Sequence, residues 1–173
     1  MNMTPLRFAL RFVCAFVILM GCFEASRGGA FERFTVETLI LTPTAALIDA
    51  VTPQERVELV GRTLVSPDGA DLRVTRGCEG IEMFLLLLAA ILAFPASLQR
   101  RVQGLLLGSM LAYALSIGRL MALHYVLRYD RAMWDSLHGF ILPLGPLVLL
   151  SLYFLRWSSP PALRPGSEVP DAI

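Results

Sequence analysis

A thiol, a guanidinium and an imidazole stand at corresponding ends of three apolar stretches of this chain. Cys78 lies in Arg76-Gly77-Cys78-Glu79-Gly80-Ile81-Glu82, Arg119 late in the stretch after Arg100-Arg101, and His138 in Trp134-Asp135-Ser136-Leu137-His138-Gly139. Thiolate is the nucleophilic form of cysteine, and a nearby cation favours it. Imidazole, with an ordinary pKa of about 6.5, suits proton transfer near neutrality. Guanidinium stays protonated and cannot act as a base, but its fork offers several donors to an oxyanion or a substrate carboxylate. Together the three make a Cys/His nucleophilic arrangement with a cationic stabiliser. Asp135, three residues before His138, would share its helical face and orient the ring.

Each residue also has a plainer reading. Cys78 could be a small residue filling a helix end, Arg119 an interfacial anchor or the partner of Glu82 in a buried pair, and His138 an ordinary interfacial histidine. His124 sits five residues beyond Arg119, about 140° around a helix, and is expected to point elsewhere. Serine chemistry fits less well. The chain has no G-x-S-x-G sequence, and neither Ser116 nor Ser136 has an evident activating partner.

The apolar stretches must bring the three residues together, and counting shows how. A helix rises about 1.5 Å per residue and a hydrocarbon core is about 30 Å thick. From an interface at Arg100 and Arg101, Cys78 lies about 33 Å back and Arg119 about 27 Å forward. From Arg156, His138 lies about 27 Å away. All three then sit near the opposite membrane face. An arginine inside a hydrophobic segment is costly, so it is functional, paired or snorkelling.

With 173 residues, 55% of them hydrophobic, and a mean hydropathy of +0.63, the chain reads as one polytopic membrane unit of the all-α class. Net charge is +1 and the basic residues are scattered, so no nucleic acid partner is expected. All 15 basic residues are Arg, which excludes Schiff-base and lysine-dependent mechanisms. Cys14 and Cys22 lie in the first apolar run and Cys78 stands apart. With no C-x-x-C spacing and only His124 and His138 as histidines, neither a metal nor a cofactor is expected.

Four spans are expected, over residues 6–23, 80–98, 102–123 and 137–155. Leu19-Met20-Gly21-Cys22 loosely resembles a lipoprotein processing site, but Met is unusual there and an uncleaved anchor is expected. Residues 24–77 form the one polar region. Within it residues 37–51 are apolar enough to lie on or dip into the membrane, while Pro43, Asp49 and shortness argue against a full span. Val57 to Val65 and Asp71 to Arg76 read as strands around the turn Ser66-Pro67-Asp68-Gly69, giving a small extramembrane hairpin. Gly104 and Gly108 offer a small-residue contact face, and Pro143 and Pro146 should kink the last span. The Pro-rich tail, residues 158–173, reads as disordered. Arg7, Arg11, Arg100, Arg101, Arg156 and Arg164 all fall on one side of this arrangement. That side is cytoplasmic by the positive-inside rule, and the Cys, Arg and His face outward.

In order and spacing, Gly77-Cys78-Glu79-Gly80 opening one span, Arg119 late in the next and Asp135-Ser136-Leu137-His138 opening the following one resemble the exosortase/archaeosortase family of integral-membrane cysteine transpeptidases. The resemblance covers mainly residues 76–150. It implies an enzyme of the cytoplasmic membrane that cuts a C-terminal sorting signal from exported proteins and transfers them to another anchor. The signal is a short motif followed by a membrane helix and basic residues. The resemblance also implies Cys78 as nucleophile, Arg119 as stabiliser of substrate or oxyanion, and His138 as proton carrier. The family commonly has Asn three residues before its arginine, where this chain has Ser116. Partners are then exported proteins bearing that signal, and membrane lipid. A different class of function is a small non-catalytic membrane assembly or envelope protein held by an Arg119–Glu82 pair. A transporter subunit is a weaker reading, because the spans show no internal repeat.

Overall fold

Apolar runs in a bilayer must satisfy their own backbone, so they become helices, and the computed structural model shows which ones. It describes residues 4–67 and 71–159. Asp68 and Gly69 of the expected turn, and the expected disordered tail from residue 160 onward, lie outside the described residues. Helix α1 (Pro5–Ala25) opens on a proline, whose missing N–H would have no helical partner in the first turn anyway. Helix α2 (Ala30–Val51) is followed by strands β1 (Glu58–Val60), β2 (Thr63–Val65) and β3 (Leu72–Arg73). Helices α3 (Ile81–Ala93), α4 (Leu98–Tyr129) and α5 (Arg131–Ser158) complete the chain. Four of these helices, α1, α2, α4 and α5, are long and apolar enough to cross a membrane. The protein is an all-α polytopic membrane protein carrying a small three-stranded antiparallel sheet in the order β1-β2-β3.

Two elements differ from the sequence expectation. The polar region contains α2, whose 22 residues suffice in length and composition for a span. Pro43 does not break it, because a π-helical stretch over Phe34–Leu41 precedes the proline. There the Thr42 N–H and hydroxyl both go to the Glu37 carbonyl, the hydroxyl at 2.8 Å, and this wider turn absorbs the irregularity. Conversely, α3 has 13 residues and stops at Ala93, short of residue 98. Phe94 precedes Pro95 and is extended (φ −75°, ψ 135°), the conformation a following proline imposes. An extended residue advances about 3.3 Å against 1.5 Å in a helix, so the link to α4 recovers part of the depth that the shorter helix loses.

α1, α3, α4 and α5 pack as a bundle, with α3 touching the other three. At one end Phe8, Phe94, Phe154 and Trp157 form a ring cluster. Here α4 and α5 are fastened together. Trp157 Nε1 donates to the Arg100 carbonyl at 3.2 Å and Tyr153 to the Gly104 carbonyl at 2.7 Å. Gly104 and Gly108 supply the close approach expected of them. A Cβ at Gly108 would lie 2.9 Å from both Leu87 and Tyr153, and one at Gly104 would strike Trp157. The outer faces of α1 and α5 expose Leu6, Leu10, Val13, Val17, Leu152 and Leu155, a surface suited to lipid rather than water.

At the other end α4 outruns the bilayer. Its 32 residues span about 48 Å against a hydrocarbon core of about 30 Å. The C-terminal part of α4 carries α2 and the sheet, through a core that includes Ile40, Leu41, Ile48, Leu64, Leu120 and Leu123. Thr52 and Tyr125 join hydroxyls across this junction at 2.9 Å. The stretch Val57–Val65 does not form one strand. It folds back on itself at Gly61, which has a φ of +61°, pairing Val60 with Thr63. That turn carries Arg62 at its tip.

Candidate active site at the Cys78 turn

Between β3 and α3 the backbone makes a tight turn that only glycine accommodates easily, with φ of +81° at both Gly77 and Gly80. The Cys78 N–H closes the turn onto the Thr75 carbonyl at 3.1 Å, and its sulfur lies 3.6 Å from the Thr75 hydroxyl. Gly80 caps α3 and lies so close to α4 that a Cβ there would collide with the Ser116 hydroxyl. Ser116 itself is satisfied by the Ala112 carbonyl at 2.9 Å. Its smallness lets α3 and α4 approach beneath the cysteine. Cys78 is 7% exposed, so its sulfur faces the protein rather than solvent.

Arg119, 6% exposed, reaches the same turn and donates from Nη1 to the Gly77 carbonyl at 3.2 Å. Its Nε is enclosed without a partner. The guanidinium therefore goes to the residue before the thiol and not to Glu82, whose carboxylate lies 3.5 Å from where a Gly77 Cβ would be. Among the described residues the Arg119–Glu82 ion pair of the assembly-protein reading is not formed. Beside the turn, α1, α2, α3 and α4 enclose an apolar cleft of about 650 Å³ that reaches Gly80 and Ser116. Phe23, Phe31, Leu39, Phe84, Met110 and Tyr113 are among its walls.

His138 is half-buried. Its ring stacks on Trp134 at 5.1 Å with an interplanar angle of 6°, its Nδ1 is enclosed without a partner, and it forms no hydrogen bond to Cys78. Trp134 in turn packs on the core cluster to which Cys78 belongs. Asp135 is exposed and does not orient the imidazole. Residues four apart on a helix share a face as readily as residues three apart, and here the ring rests on Trp134.

Two further charged groups were not apparent in the sequence. Glu55, 2% exposed, accepts from Ser66 at 2.9 Å, Tyr129 at 3.1 Å and Arg128 at 3.2 Å, and pairs with His124 at 3.4 Å. His124 and Arg128 are four apart on α4 and so share a face, a visible signal. Which acid they would meet was not visible, because Glu55 is 69 residues from His124. The second group is Arg62, which bridges Glu32 and Glu79. Among the described residues no cluster of three or more His, Cys, Asp or Glu could hold a metal ion.

No family model, no curated protein and no solved structure matches this chain.

Proposed function

We propose that this protein is a membrane cysteine peptidase and transpeptidase of the exosortase/archaeosortase kind, cleaving a C-terminal sorting signal and passing the exported protein to another anchor. The observation that carries the reading is the contact of Arg119 with the Gly77 carbonyl, which brings a buried cation from α4 to the peptide immediately before a cysteine. The Cys78 thiolate attacks the scissile carbonyl, and the developing oxyanion takes a donor from Arg119, whose Nε is uncommitted. His138 accepts the thiol proton and returns it to the departing amine. An incoming amine or water then resolves the thioester. The apolar cleft beside Gly80 and Ser116 suits the hydrophobic part of such a signal, and its volume is in the usual range of ligand sites, about 300–1,000 Å³.

Arg119→Lys tests the role of the fork. Lysine keeps the charge but cannot hold Gly77 and an oxyanion with two directed bonds, so processing should fall by about 10²–10³-fold at near-normal protein level. Full activity in the Lys variant would reduce Arg119 to a general charge.

The site is proposed to face outward from the cytoplasmic membrane, because the span-flanking arginines gather at the opposite end. A cysteine at the exposed Val60 reads this directly, whereas Ser66, held by Glu55, would disturb the fold. In a Cys14→Ser, Cys22→Ser background, Val60→Cys should react with an impermeant maleimide on intact cells. Reaction only after lysis would place the sheet and the thiol inside. The burial of Cys78 favours a second reading, a non-catalytic membrane assembly protein. Cys78→Ala separates the two. Lost processing at normal abundance supports the enzyme, and lost abundance supports the scaffold.

A further inference from the structure

The Arg62 bridge lies against the cysteine turn and has no part in the chemistry above. Glu79, 4% exposed and next to Cys78 in sequence, uses one carboxylate oxygen to accept the Gly77 N–H at 3.1 Å and the other to pair with Arg62. Arg62 reaches out from the β1–β2 turn and binds Glu32 of α2 at 3.1 Å with its other terminal nitrogen. Glu32, 8% exposed, is itself anchored by the Gly28 N–H at 2.6 Å. Gly77 is thus held on both sides, its N–H by Glu79 and its carbonyl by Arg119. A residue with a φ of +81° and no side chain has no other means of fixing its orientation.

We propose that Glu79 and Arg62 are positioning residues for Cys78: their ion pair, tied to α2 through Glu32, locks the glycine turn and so sets how the thiol is presented. Glu79 and Arg62 touch neither the sulfur nor the reacting carbonyl in this scheme, and they act through Gly77. The buried carboxylates supply the strength. A hydrogen bond to a charged group in a shielded place is worth more than an exposed one, and removing one partner strands the other. The functional meaning of the lock rests on the proposed role of Cys78 as nucleophile, but the lock itself can be measured without a substrate.

The experiment uses the full chain in membrane vesicles, with Cys14 and Cys22 replaced by serine, and follows alkylation of Cys78 by N-ethylmaleimide. In the locked turn the thiol is covered and reacts slowly. Glu79→Gln should raise its rate by about tenfold or more, and Arg62→Gln should do the same. The double variant should be no faster than the faster single one, because both remove one interaction. Arg62→Lys, which preserves the charge, should restore most of the protection.

A second reporter separates a local lock from general loosening. Ala45→Cys, made in a Cys78→Ala background, sits in the same core on α2, where Ala45 is 8% exposed. Its rate should stay flat when Glu79 is changed. Equal acceleration of both thiols would overturn the proposal in favour of a fold-wide structural role. An unchanged Cys78 rate in Glu79→Gln, or additive single effects, would overturn it as well. Failure of the nucleophile reading has a different signature, an unimpaired Cys78→Ala protein, and leaves these rates untouched.

Discussion

Withholding the acceptor from wild-type protein, while supplying a reporter that ends in a short motif, an apolar helix and an arginine cluster, should accumulate a thioester between Cys78 and the cleaved reporter. A thiolate attacking a carbonyl beside a cationic stabiliser yields an acyl-enzyme before any acceptor arrives. The adduct should disappear with hydroxylamine and be absent in Cys78→Ser. In His138→Ala it should form about 10²–10⁴-fold more slowly, the usual contribution of a positioned base. His138 rests on Trp134 in the substrate-free protein, so the same experiment with Trp134→Ala asks whether that platform matters. Processing at full rate after complete alkylation of Cys78 would exclude this residue as the nucleophile.

The second large effect concerns stability. Glu55→Ala should cost about 3–5 kcal/mol, because it removes the partner of the fully buried His124 ring and one acceptor of Arg128 and Tyr129 at the end of α4. Reversible denaturation in detergent, or the loss of folded protein on heating, measures it. Burial pushes the Glu55 carboxyl up, but the donors Ser66, Tyr129 and Arg128 reverse this and hold it below the ordinary carboxylate range. A carboxyl lowered in the folded state adds stability above its unfolded pKa of about 4.3, and that stability is lost as pH falls through the folded value. Wild-type protein should therefore lose stability at acid pH more steeply than Glu55→Gln, which keeps an acceptor but has nothing to titrate. Parallel pH curves for the two proteins would show that the network is electrostatically idle.

The Cys78 turn and the Glu55 network differ in how far spacing along the chain defines them. Cys78 and Arg119 could be placed at one depth by counting, because a bilayer imposes a common ruler on every helix that crosses it. Their contact through Gly77 agrees with that count even though α3 ends early. The same ruler could not set the rotation of His138. Trp134 and Asp135, four and three residues before it, both lie within reach on a helix, and the imidazole stacks on Trp134.

What the sequence determined by itself is what depends on local composition and spacing. This covers a polytopic helical chain and the Gly104 and Gly108 contact face. Tertiary structure decided the rest. Arg62 meets Glu79 and Glu32, and Glu55 meets His124, at sequence separations of 17, 30 and 69. Opposite charges at such separations carry no pairing code, and 15 basic residues against 14 acidic ones allow many combinations. The choice is made when α2 and the sheet pack onto the C-terminal part of α4. Burial there leaves each carboxylate only the partner within reach, and an unpaired charge would be too costly to enclose.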